Sequence, residues 1–200
     1  MTGGMPEGER RMKKYNYGHL LLVLVMVMFL LSGCGNSGAE NNEEMYRDII
    51  AGLGDEEQFS LRDIGEKNDV LFTTDMTYDD DKGHDAALYC RVYYCVDGTI
   101  YTLEQIESLG TAYPVSYGDK CIYTAGEHCV AVYEFDRKNL RWRSTQYEET
   151  FDADGNASYM RTGEDGMKEN VAEKDYLEVW EAYGESTVVN FGYGASDNPF

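Results

Sequence analysis

The stretch Ala87–Val96, ALYCRVYYCV, followed by Asp97-Gly98 and Thr99–Leu103 (TIYTL), decides the fold. Leu88, Cys90, Val92, Tyr94 and Val96 alternate with Tyr89, Arg91, Tyr93 and Cys95. Successive strand side chains point to opposite faces, so this period of two predicts a strand with two different neighbours. Asp-Gly is a two-residue hairpin signal, and TIYTL returns the chain antiparallel to it.

Working outward, the same grammar repeats. CIYT, a turn, and Cys129–Phe135 (CVAVYEF) form a second pair, and a turn over Asp136–Asn139 leads into LRWRSTQYEETF. Phe151–Ala157 (FDADGNA) is another tight turn, before SYMRT. Upstream, Phe59–Thr77 turns extended, with VLFTTDMT as its strand, and an acidic loop follows over Asp79–Asp85. A helix is predicted on each side of these hairpins. Glu43–Leu53 places Met45, Tyr46, Ile49, Ile50 and Leu53 on one stripe, with Asn42 as cap and Gly54 as stop. Glu173–Tyr183 does the same with Tyr176, Val179, Trp180 and Tyr183, and Gly184 is expected to end it. The predicted class is α+β: a strand-rich antiparallel meander of hairpins with one helix near each end.

Ahead of this region the sequence changes character. Leu20–Leu31 is an unbroken run of 12 apolar residues. As a helix it spans about 18 Å, short of the roughly 30 Å hydrocarbon core but suited to a signal peptide. Arg10, Arg11, Lys13 and Lys14 supply its positive flank, and Met12 is an alternative start. Arg10-Arg11 reads as plain positive charge, since no twin-arginine pattern follows it.

The tetrad Leu31-Ser32-Gly33-Cys34 resembles the lipobox of bacterial lipoproteins. The resemblance implies cleavage before Cys34, a covalent diacylglycerol on its sulfur, and a chain held by that lipid to the outer face of the cell membrane. Two acyl chains anchor stably where one is marginal. The expected organisation is a signal peptide over 1–33, a flexible tether over 34–42, one extracytoplasmic domain over 43–193 and a disordered tail over 194–200.

Charge narrows the partners. The chain carries 37 Asp and Glu against 17 Lys and Arg, a net charge of −20. Two of these acids and four of the bases precede Cys34, so the remaining 167 residues carry −22. Such a surface repels nucleic acid and anionic lipid alike, which excludes DNA and RNA partners and leaves the lipid as the anchor.

Four cysteines follow Cys34. Cys90 and Cys95 point to opposite faces and are not expected to pair with each other. Cys121 and Cys129 could meet across a hairpin, Cys90 with Cys129 is equally open, and so are free buried thiols. His128 beside Cys129 suggests zinc, but no CxxC spacing supports it, and adjacent strand residues face apart. His84 and His128 are the only histidines after Cys34, and no GxSxG motif is present.

Acidic turns raise calcium, with Asp79 and Asp81 in one cluster and Asp152 and Asp154 in another. Neither has the glycine and glutamate spacing of an EF-type loop, so solvated turns are the expected reading and a calcium-stabilised surface domain the alternative. The stretch Asp136–Arg143 gathers Arg137, Lys138, Arg141 and Arg143. Arg141 and Arg143 could grip an anionic wall polymer with Trp142 stacking on sugar, or Trp142 could face the core behind a charged hairpin tip.

Four segments, FSLRDIGEKNDVLF, YYCVDGTIYTLEQI, CIYTAGEHCVAVYEFD and VAEKDYLEVWEAYG, resemble those of uncharacterised exported lipoproteins of Gram-positive anaerobes. The likeness spans residues 43–191 and implies fold and location, not an activity. Lys67 stands where an oxygen ligand is expected in the acidic turn of that group, which argues against calcium at Asp63–Asp69. The expected function is a non-enzymatic binding or accessory module of the cell envelope, with an envelope protein or wall polymer as partner. The alternative is a carboxylate-based envelope hydrolase.

Overall fold

The Ala87–Leu103 region forms the hairpin its alternation predicts. Strand β5 (Tyr89–Val96) pairs antiparallel with β6 (Thr99–Glu107) around Asp97 and Gly98, whose φ angles of 49° and 82° make the type I′ turn. Cys90, Val92 and Tyr94 enter one apolar core, while Tyr93 and Cys95 enter another on the opposite face. In the register, Val92 faces Leu103 but Cys90 faces Ile106. Glu104 and Gln105 thus stand opposite Arg91 alone, a bulge that turns Ile106 to the same side as Leu103.

The structure, a computed structural model, describes residues 39–191. The expected signal peptide, Cys34, the expected tether up to residue 38 and the expected tail over 194–200 lie outside the described residues. Helix α1 (Ala39–Ile50) precedes β1 (Gln58–Arg62) and β2 (Val70–Thr74), and β3 (Tyr78–Asp79) and β4 (Asp85–Ala86) make a small hairpin. After β5 and β6 come β7 (Ser116–Gly118), β8 (Cys121–Gly126), β9 (Cys129–Asp136), β10 (Arg141–Phe151), β11 (Ala157–Thr162) and β12 (Lys168–Asn170). Helix α2 (Glu173–Glu185) and β13 (Thr187–Val188) complete the described chain.

Apart from the β3–β4 hairpin, the strands form two antiparallel sheets, in the order β1-β2-β5-β6 and β12-β11-β10-β9-β8-β7-β13. Their inner faces share the main core, where Val70, Phe72, Val92 and Tyr94 of the first sheet meet Ile122, Phe135 and Trp142 of the second. A helix packs on each outer face. Helix α1 sets Met45, Tyr46, Ile49 and Ile50 on Phe59, Leu71 and Cys95. Helix α2 sets Val179, Trp180, Ala182 and Tyr183 on Tyr123, Ala125 and Val130. The α+β class is therefore built as helix, sheet, sheet, helix, and every long strand must be apolar on both faces where a helix lies above it.

The helix limits depart from expectation at both ends. Helix α1 begins at Ala39, inside the stretch expected to be tether, because the Ala-Glu-Asn-Asn run continues the helical register rather than capping it at Asn42. Helix α2 runs through Gly184 and stops at Ser186, whose hydroxyl donates to the Tyr183 carbonyl at 2.6 Å as the chain turns extended toward β13. Among the described residues no helix is long and apolar enough to cross a membrane.

Three hairpin loops share one construction. In Asp80–His84, Asp152–Asn156 and Gly163–Met167 the first residue donates its N–H to the last carbonyl, at 3.2, 3.0 and 3.2 Å. The fourth residue of each is a glycine at positive φ, 95°, 81° and 74°. The acidic loop expected over Asp79–Asp85 is one of these, closed by the β3–β4 pair.

Candidate functional site

The site grows from the outer face of the larger sheet. On β8, β9 and β10 the residues facing away from the main core are Tyr123 and Ala125, Val130 and Val132, and Tyr147. The paired register aligns them: Tyr123 lies beside Val132, Val132 beside Thr145, and Tyr147 beside Arg161 of β11. Helix α2 crosses only part of this face. Along its edge remains a groove of about 400 Å³ floored by Tyr123, Val132, Thr145 and Tyr147, walled on one side by Val179 and Ala182. Arg143, Arg161, Glu134 and Glu178 stand around its rim. An apolar and aromatic floor with a few convergent polar groups, at this volume, is the general form of a ligand site.

The helix that walls the groove is held on the sheet by aromatic contact. Trp180 packs with Tyr113 at 6.0 Å, Tyr176 at 6.1 Å and Tyr183 at 6.0 Å between ring centroids. The Tyr183 hydroxyl donates to the Pro114 carbonyl at 3.1 Å. Burial pushes the Tyr123 hydroxyl up to about 12.

The rim charges are arranged unevenly. Arg143 has Glu134 at 3.7 Å, Asp136 at 3.9 Å and Glu164 at 4.0 Å, all longer than a hydrogen bond. Arg161 pairs with Glu169 at 2.5 Å, and Glu178 with Lys174 at 3.2 Å. The Glu134 and Glu178 side chains are 56% and 60% exposed.

Of the residues singled out from the sequence, Arg143 reaches this groove and its neighbours do not. Trp142 is in the main core, 8% exposed, with its ring 5.4 Å from Phe135 and its indole N–H donating to the Tyr101 carbonyl at 3.3 Å. It cannot stack on a sugar, because its strand position faces the opposite sheet. Arg141 pairs with Glu164 at 3.1 Å. Arg137 turns away to Glu66, whose carboxylate is 7% exposed and accepts from the Arg137 Nε at 2.7 Å and from the Tyr94 hydroxyl at 3.2 Å.

The aspartates considered for calcium serve their own turns. Asp152 accepts the N–H groups of Asp154 and Asn156 at 2.9 and 2.8 Å, and Asp79 accepts that of Asp81 at 2.8 Å. Asp80, 4% exposed, accepts the His84 ring nitrogen at 2.7 Å and the amides of Lys82 and His84. Burial alone would raise this carboxyl, but the His84 and amide hydrogen bonds outweigh it and bring it down to about 2. Among the described residues no group of three or more His, Cys, Asp or Glu side chains converges on a metal position.

All four described cysteines are free. Cys121 and Cys129 do not meet across the β8–β9 hairpin: Cys121 faces Glu134, whereas Cys129 faces Gly126. Five ladder positions separate them, about 16 Å along the strands, against the roughly 7 Å that a disulfide spans. Cys90 lies in the main core and Cys129 is half-buried at the start of β9. Burial raises the thiols of Cys90, Cys121 and Cys129, which keeps them protonated and poor nucleophiles. His128 leans on Glu149 at 3.1 Å and on the Phe151 ring, not on its neighbour Cys129.

Tyr123, Thr145, Tyr147, Arg161 and Glu178 carry no motif and lie in four separate segments of sequence. The one signal that could have found them is strand parity: once the core face of each strand is known, the residues between become the outer face. Family models, curated proteins and solved structures gave no match to this chain.

Proposed function

We propose that this protein is a lipid-anchored extracytoplasmic module of the cell envelope, non-enzymatic, which binds its partner in the groove along the edge of α2. The anchor rests on Leu31-Ser32-Gly33-Cys34, preceded by a short apolar run and a basic flank. The observation that carries the binding role is the groove: an aromatic floor, two arginines and two glutamates around about 400 Å³ of open space.

The hydrolase reading is less well supported. General acid catalysis by a carboxyl pair needs one member desolvated, and Glu134 and Glu178 are both more than half exposed. Burial and the charge of Asp63 raise the Asp69 carboxyl, but Asp69 lies in the loop before β2 and is not among the groove's lining residues.

Two experiments test the two halves. Cys34→Ser is expected to abolish incorporation of labelled lipid and release the protein from the membrane; labelling that persists refutes the anchor. Thr145→Trp fills the groove floor and is expected to abolish capture of the partner on cross-linked intact cells while near-UV circular dichroism stays native. Unchanged capture refutes the groove.

A further inference from the structure

The groove's backbone and its charge together select a ligand class, provided that the groove is the binding site. We propose that it accepts a cationic amino sugar, an oligosaccharide bearing free primary amines. The four lining strands β8, β9, β10 and β11 are all interior to the seven-stranded sheet. Their amides and carbonyls are engaged by neighbouring strands, so an extended peptide finds no edge to pair with. Recognition falls to side chains, and these are tyrosine faces, hydroxyls and charges. A sugar ring meets that set well: its C–H face lies on an aromatic ring while its hydroxyls reach Thr145 and the rim.

Charge selects the amine. The lining itself is balanced, Glu134 and Glu178 against Arg143 and Arg161. In the shell around it Asp136 and Glu164 join Glu134 about Arg143, Glu164 is shared with Arg141 at 3.1 Å, Glu169 matches Arg161, and Glu178 is met by Lys174. Five carboxylates there face four cations, so the surplus favours a cationic ligand over an anionic one. The Arg143 contacts fall outside hydrogen-bond range, so Glu134 keeps oxygen lone pairs for an ammonium from one side of the groove while Glu178 offers its own from α2. The net charge of −20 adds long-range steering of the same sign.

The test is a calorimetric titration of the full-length chain in detergent micelles at about pH 6, where a primary amine is protonated. The probes are a glucosamine trimer, its N-acetylated counterpart and a neutral glucose trimer. Binding of the free-amine trimer is expected to exceed that of the other two by about tenfold and to weaken with salt. The double variant Glu134→Gln/Glu178→Gln, checked for an unchanged melting temperature, is expected to remove that preference. Equal binding of the acetylated trimer, no binding of the amine trimer, or an unchanged preference in the double variant overturns the proposal. If Thr145→Trp abolishes partner capture on cells but the amine trimer does not bind, this ligand class fails and the groove reading stands. Amine-selective binding that survives Thr145→Trp overturns this proposal, since the sugar then sits elsewhere, while the groove reading is judged by partner capture alone.

Discussion

Tyr46 concentrates the physics of this domain in one side chain. It is fully buried under α1, donates its hydroxyl to the Asp69 carbonyl at 2.6 Å and accepts the Cys95 amide at 3.0 Å. Tyr46→Phe keeps the packing but strands two backbone groups away from water, at an expected cost of about 1–3 kcal/mol in urea denaturation. Asp80 makes a pH-dependent counterpart. Its folded carboxyl, brought down to about 2, lies below the ordinary 3.8. A depressed carboxyl stabilises the fold fully above its unfolded value and loses that contribution as pH falls through the folded one. Asp80→Asn is thus expected to lower the melting temperature at neutral pH, with the gap to the unaltered protein closing between about pH 4 and pH 2. A gap that stays constant over that window would exclude the charge as its source.

Among the elements, turns and helix ends show how far local sequence reaches. Gly98 occupies the second position of the β5–β6 turn at φ 82°, and a Cβ there would meet nothing within 4 Å. Gly98→Ala therefore isolates backbone strain, expected at about 1–2 kcal/mol by thermal unfolding. That turn is written in the sequence as Asp-Gly. The β7–β8 turn is not: Asp119 and Lys120 adopt φ 47° and 67° without glycine, the Lys120 amide donating to the Ile64 carbonyl at 2.8 Å. A tertiary hydrogen bond there does what residue type does at Gly98, so a glycine-based reading passes over it. The short strands β7, β12 and β13 escape the sequence for a related reason, since two or three residues cannot display an alternation. Between elements, Glu66 and Arg137 tie the loop before β2 to the β9–β10 turn. Arg137→Ala leaves a mostly buried carboxylate without its cation and is expected to cost about 1–3 kcal/mol, falling to well under 1 kcal/mol when Glu66→Gln is already present. A full cost in the Glu66→Gln background would show that packing, and not the ion pair, joins the two sheets.

At the scale of the molecule, two sheets share one core and each is capped by a helix, so the longer strands are apolar on two faces in part of their length. This arrangement explains why Trp142 and Arg143, adjacent in sequence, have such different fates. Trp142 faces the opposite sheet and is part of the core, while Arg143 faces outward to the groove. It also explains the cysteines: Cys90 and Cys95 enter separate cores, as their parity requires, and the β8–β9 register keeps Cys121 and Cys129 apart.

The sequence by itself determined what is local and periodic. Alternation marked the long strands, Asp-Gly and Asp-x-Asp-Gly-Asn marked their turns, and apolar stripes marked both helices, because strand faces and helix faces have fixed periods. From these the α+β class was legible. Only the tertiary structure decided which faces meet, where α2 lies and therefore where it leaves the outer sheet uncovered. The groove is assembled from side chains of four strands and one helix, and their approach depends on the packing of whole layers, which no spacing along the chain encodes.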